Sequence, residues 1–184
     1  MTDDLDPLRR LRPDRVLPDD PNDPGMLARG KERFLAGIRG TAGQPPAERM
    51  PSVYPRLAYR DEAAALAFLV RAFGFTERRE ARMELPGGML AWLQLGDGVV
   101  MIGRAGEDRH GLRSPLDAGG PTALVNVAVR GIDAHCERAR AGGARIVTEP
   151  EDMFWGDRRY EALDLEGHRW HFTEHLPGAP PWPA

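Results

Sequence analysis

One pattern occurs twice in this chain, and that repetition limits the fold to a pair of similar supersecondary units. Leu57-Ala-Tyr-Arg60 runs through Asp61 into an alanine-rich segment ending Arg71-Ala-Phe-Gly74, and Val127-Ala-Val-Arg130 runs through Asp133 into one ending Arg140-Ala-Gly-Gly143. Each copy closes on a strand after a glycine turn, Gly98-Val-Val-Met-Ile102 in the first and Gly167-His-Arg-Trp-His171 in the second. Matched landmarks lie roughly 70 residues apart, as a duplicated unit requires, and such units build their site between the copies.

The local signals give each copy the order βαβββ. Val53, Leu57 and Tyr59 suggest a strand, and the Asp61 carboxylate can cap the free amides of a following helical turn. Leu66, Leu69, Val70 and Phe73 form one helical stripe, and Gly74 can take the left-handed conformation that ends a helix. Strands are expected over 77–85, 89–95 and 99–103, separated by Pro86-Gly87-Gly88 and Gly96-Asp97-Gly98, both hairpin-type turns. A Gly-, Arg- and Asp-rich linker over 104–121 leads to a second strand at 124–129, a helix at 133–141 and strands at 145–148, 159–163 and 168–173. The fold class expected is therefore α+β, with modules over about 52–104 and 121–175.

Outside this domain, residues 1–50 are interrupted by Pro13, Pro18, Pro21, Pro24, Pro45 and Pro46. Leu27, Phe34, Leu35 and Ile38 fall at helical spacing, so the extension is read either as an appendage with one short docking helix or as a loose tail with a nascent one. Residues 176–184 read as a Pro-rich tail.

With 184 residues, 41% of them hydrophobic and 29% charged, the chain has the make-up of a globular protein with one real core. A membrane span is not expected, since no apolar run is long enough. The acidic start, Met1-Thr-Asp-Asp-Leu-Asp, lacks the basic-then-apolar pattern of a signal peptide and points to the cytoplasm. Cys136 is alone, so no intrachain disulfide can form. A formal charge of −3 provides no general pull on nucleic acid.

The segments Tyr59-Arg-Asp61, Arg71-Ala-Phe-Gly-Phe75, Arg138-Ala-Arg-Ala-Gly142, Trp155-Gly-Asp-Arg-Arg-Tyr160 and Asp164-Leu-Glu-Gly-His-Arg-Trp170 together resemble the vicinal oxygen chelate superfamily, which includes glyoxalases, bleomycin-resistance proteins and ring-cleaving dioxygenases. The last segment looks like that family's Asp-Pro-Asp-Gly hairpin with Leu165 and Glu166 in the middle. The resemblance spans about 52–175 and implies two βαβββ modules around a cupped mixed sheet, with ligand inside the cup and, often, pairing as a homodimer. In metal-using relatives, His and Glu from the first and last strands of each module hold the ion. Carried over by register, those seats fall on Tyr54, Ile102, Leu124 and His171.

Only His171 of the four is a good ligand. A divalent transition ion needs three or four N, O or S donors, and a phenol such as Tyr54 must first lose a proton with a pKa near 10. No metal and no cofactor are therefore expected. These seats rest on register, since a slip of one residue turns every side chain to the opposite face.

A cup without an ion is a recess for an organic guest. Tyr54, Arg56, Trp92, Ile102, Leu124, Asn126, Met153, Trp155, Tyr160 and His171 are its candidate ligand-binding residues. Loop 153–156 is placed to fold over the opening, while Trp170 is read as core. Two functions stay open. One is a metal-independent protein that sequesters an aromatic or amphipathic compound, as bleomycin-resistance relatives do. The other is a metal-independent isomerase, lyase or cyclase with His171 as general base, assisted by Tyr54 or Arg56. Binding is favoured because no His–carboxylate pair is evident in the sequence, and Arg158 and Arg159 are read as surface partners of Asp157 or Glu161.

Overall fold

A computed structural model describes residues 51–106 and 110–180, all within Pro45–Ala184, one of two units into which the chain divides. The expected helix at 24–38, with the rest of the extension, lies outside the described residues. The first copy comprises β1 (Arg56–Tyr59), α1 (Glu62–Phe73), β2 (Thr76–Glu77), a single turn of 3₁₀ helix (Arg79–Ala81), β3 (Met83–Leu85), β4 (Gly88–Leu95) and β5 (Gly98–Arg104). After a short α2 (Pro115–Ala118), the second comprises β6 (Leu124–Ala128), α3 (Ile132–Ala141), β7 (Arg145–Asp152), β8 (Asp157–Leu163) and β9 (Arg169–His175). The strand expected over 77–85 is thus two short strands with a 3₁₀ turn between them.

The duplication is structural as well as sequential. One sheet has the order β1-β5-β4-β2 with β3 also on β4, and the other β6-β9-β8-β7. In each, the first strand runs parallel to the last, and the remaining pairs are antiparallel. β7 lies at an edge of its sheet, where Pro150 and two register shifts are tolerated because no neighbour needs the missing N–H.

The helices form where the caps predict. Asp61 accepts the Ala64 amide at 2.9 Å, and Gly74 closes α1 at a φ of 75°. Gly131, at the start of α3, has no capping side chain, so Glu174 of β9 accepts the amides of Gly131 and Ile132 at 2.8 and 2.9 Å. Those backbone bonds favour the ionised carboxyl and lower its pKa. Glu166 plays the matching part in the first copy, accepting the amides of Arg60 and Asp61 and the Ser114 hydroxyl.

One face of each sheet packs on the helices, and a single core joins the two copies. Phe73 at the end of α1 lies 5.4 Å from Trp170 and 4.9 Å from Phe172, both on β9. Leu57, Leu69, Leu93, Ile102, Ile132, Tyr160, Trp170 and Phe172 are among its buried members. Each large apolar side chain so buried contributes roughly 1.5–3 kcal/mol relative to exposure. Alternation turns the other face of each sheet outward.

A buried polar link within this core makes stability depend on pH. The His135 Nε2–H donates to the Phe73 carbonyl (3.1 Å), so the neutral ring's Nδ1 must accept from the Tyr160 hydroxyl (2.6 Å). Burial lowers the His135 pKa and raises that of Tyr160. The unfolded chain therefore binds a proton near pH ~6.5 that the folded chain refuses, so stability falls as pH drops through that value toward the folded pKa. Urea unfolding across this range should show that slope, and His135→Gln should flatten it; an unchanged slope in the variant would assign it to other groups.

Candidate functional site

The outward face of the second sheet gathers a row of polar side chains. The hairpin closed between Asp164 and His168 sets Glu161 opposite His171, Arg159 opposite Thr173 and Asp157 opposite His175. β6 adds Asn126 beside His171 and Ala128 beside Thr173. A cavity of about 1320 Å³ covers this face and is lined by Asn126, Ala128, Trp155, Asp157, Arg159, His171, Thr173 and His175. It continues past the edge strand β6 to Val127, Val129, His135 and Arg138, and Leu95-Gly96-Asp97 at the β4–β5 turn also line it.

Two histidine–carboxylate pairs stand on its floor. His171 Nε2 lies 2.8 Å from Glu161 Oε2, with both side chains largely buried, and Arg169 Nε lies 2.9 Å from the other carboxylate oxygen. A carboxylate only accepts, so Nε2 carries the proton and Nδ1 of the neutral ring keeps its lone pair. Such a ring is oriented by its carboxylate as a general base is. His175 Nδ1 likewise lies 2.8 Å from Asp157 Oδ1, while Oδ2 accepts the Trp155 indole N–H at 2.9 Å. Between the pairs, Arg159 places its guanidinium carbon 5.4 Å from the Trp155 ring centroid.

The structure brings together only some of the residues expected at a site. Asn126, Trp155 and His171 line the cavity, and Leu124 shares their sheet face at the start of β6. Arg56 and Trp92 stand on the open face of the other sheet, each level with Met101, and Trp92 Nε1 is buried without a hydrogen-bond partner among the described residues. Tyr54 precedes β1 and is exposed, and Met153 is half-buried at the β7–β8 turn. Two placements need correction. Tyr160 faces the core beside Phe172, because it alternates with Arg159 and Glu161. Ile102 is fully buried in the core. Its proposed equivalence to His171 slipped by one residue: Arg56 pairs with Met101 as Asn126 pairs with His171, so Met101 is the counterpart.

The paired carboxylates are a further correction. Asp157 and Glu161, read from the sequence as surface partners of Arg158 and Arg159, pair with His175 and His171 instead, as counting back from a hairpin closed at Asp164 and His168 shows. Arg158 pairs instead with Asp133 and Asp152, on the other side of the strand.

A transition-metal ion does not fit this face. The row at His171 holds Asn126 and Glu161, and Glu161 is already bonded to the imidazole and paired with Arg169. Among the described residues no group of three or more His, Cys, Asp or Glu side chains is disposed to hold a metal. Nor is any helix there long and apolar enough to cross a membrane.

Comparison with known proteins places the chain among relatives. The sequence model of the Glyoxalase/Bleomycin resistance protein/Dioxygenase superfamily matches residues 53–172. An uncharacterized protein of Mycobacterium tuberculosis is 34% identical over 146 residues, 74% of this chain and 85% of its own length. The crystal structure of TioX from Micromonospora sp. ML1 is 38% identical and superposes with a TM-score of 0.52, covering 72% of this chain and all (100%) of TioX. A glyoxalase/bleomycin resistance protein/dioxygenase family enzyme from Burkholderia phytofirmans PsJN shares the fold, with a TM-score of 0.55 at 22% identity, over 67% of this chain and 97% of its own.

Proposed function

The chain belongs to the glyoxalase/bleomycin resistance protein/dioxygenase superfamily, and from that premise we propose that it is a metal-independent protein that binds a small aromatic or amphipathic compound. The cavity on the second sheet carries this reading, since it combines ligand-sized space, apolar walls at Val127, Ala128 and Val129, an indole and a few fixed polar groups. Burying about 300 Å² of apolar ligand would supply roughly 7 kcal/mol before ordering costs, to which a few hydrogen bonds add. A ligand at 100 times its Kd raises stability by about 2.7 kcal/mol, so a thermal-shift screen with aromatic metabolites should find stabilising compounds. A screen in which none of them shifts the transition would contradict the proposal.

One observation favours a second reading, a metal-independent isomerase, lyase or cyclase. The 2.8 Å contact between His171 and Glu161 is that of an oriented base. For a compound found to bind, His171→Ala and Glu161→Gln separate the two. Retained affinity with loss of product formation would identify an enzyme, whereas loss of affinity without any turnover in the native protein would identify a binder.

A further inference from the structure

The polar partners on the cavity floor point to the charge of the ligand. The carboxylates that β8 and β9 bring to it are engaged, Asp157 by Trp155 and His175, Glu161 by His171 and Arg169, and Glu174 by two backbone amides, while Asp97 lines the cavity from the β4–β5 turn of the other sheet. Arg159 is different. It stacks on Trp155 and has no carboxylate partner among the described residues, although it is half-buried in the middle of the face. A guanidinium on an indole is weakly hydrated and keeps its planar fork for an oxyanion. The Trp155 ring is itself fixed by its bond to Asp157, and so the cation is held in place before ligand arrives.

We propose that Arg159 and Trp155 form an anion seat, and that the ligand class is a flat, largely apolar monocarboxylic acid bound as its carboxylate. The inference rests on the small-molecule reading above and narrows it. A single charge is favoured over a phosphate dianion because Asp157 and Glu161 flank Arg159 on the same strand and oppose a second negative charge. An apolar body is favoured because Ala128 shares the face of Arg159 and Thr173, the Trp155 ring lies against the guanidinium, and Val127 and Val129 line the cavity past the strand edge. Thr173, opposite Arg159, lines the same cavity and brings a hydroxyl donor to it.

Titration calorimetry with naphthoate, its neutral isostere naphthamide and the cationic naphthylmethylamine, in mildly alkaline buffer, tests the seat. Naphthoate should bind about tenfold more tightly than naphthamide, the difference expected of one charge-assisted contact. Arg159→Gln should remove that preference, bringing the two affinities within about twofold of each other. In the unaltered protein, added sodium chloride should weaken naphthoate and leave naphthamide unaffected, a readout that does not depend on the variant folding. Equal affinity for acid and amide, or a preference that survives in Arg159→Gln, overturns the seat. Tighter binding of the amide or the amine would overturn it while leaving the small-molecule reading intact. Failure of all three probes at millimolar concentration would overturn both.

Discussion

Asp164→Ala should destabilise the protein by about 3–5 kcal/mol, lowering the thermal midpoint by roughly 10 °C or more. The carboxylate is buried and accepts four hydrogen bonds. Oδ2 takes the Tyr59 hydroxyl at 2.6 Å and the Trp170 indole N–H at 3.1 Å, and Oδ1 takes the amides of Glu166 and His168 at 3.1 and 3.0 Å. Burial, with Asp164 next in importance, raises the Tyr59 pKa, so the phenol stays protonated and donates. Tyr59 ends the first strand of one copy and Trp170 lies in the last strand of the other, so this one side chain ties the copies together. Alanine takes the acceptor away from two buried donors, the Tyr59 hydroxyl and the Trp170 indole N–H. Asp164→Asn keeps an acceptor but turns an amide N–H toward one set of donors, and should cost about half as much. Calorimetry of the two variants checks the order, and a midpoint for Asp164→Ala within about 2 °C of the parent would remove Asp164 from its place between the copies.

Gly142→Val should cost about 3 kcal/mol for a different reason, since it adds atoms where two helices meet. A Cβ built on Gly142 lies 2.5 Å from both Cα and Cβ of Ala72, so the obstacle includes the backbone of α1. Phe73 is the next residue, and its carbonyl accepts from His135 and Arg138 while its ring packs on Trp170 and Phe172. Moving α1 outward therefore loosens both the core and the His135 link. Gly106→Ala, where an added Cβ meets nothing within 4 Å among the described residues, is the control and should stay within about 0.5 kcal/mol of the parent. Chemical denaturation measures both. Equal stability of Gly142→Val and the control would mean that α1 and α3 do not approach as closely as the glycine requires.

Much of the architecture is legible in the sequence because its signals are local. Asp61 and Gly74 bracket α1 as a capping carboxylate and a left-handed glycine should, and the Trp170 side chain alternates into the core. Strand ends were harder. β7 runs on through Glu149 and Pro150 by shifting register, which a propensity reading of Arg145–Thr148 does not foresee. The capping of α3 by Glu174 was out of reach, since a residue on a strand 42 positions away supplies it.

The site was less legible because faces depend on pairing. Gly98 begins β5 directly, whereas Gly167 lies inside the turn before β9. Matching the two glycines shifted Ile102 onto His171 and turned a core residue toward the ligand. Tyr160 went astray by the same parity, while Glu161 beside it was assigned to the surface. Arg159 stacks on Trp155, a neighbour that only the β7–β8 turn brings across it.

The most direct test of the central account is the affinity of naphthoate, measured by titration calorimetry on chelator-treated protein and again with one equivalent of zinc, nickel or manganese. The account predicts one site per chain with the same affinity in every case, because the seat is Arg159 on Trp155 and the nearest histidines are already bonded to carboxylates. Affinity that vanishes with the chelator and returns with a stoichiometric ion would contradict it.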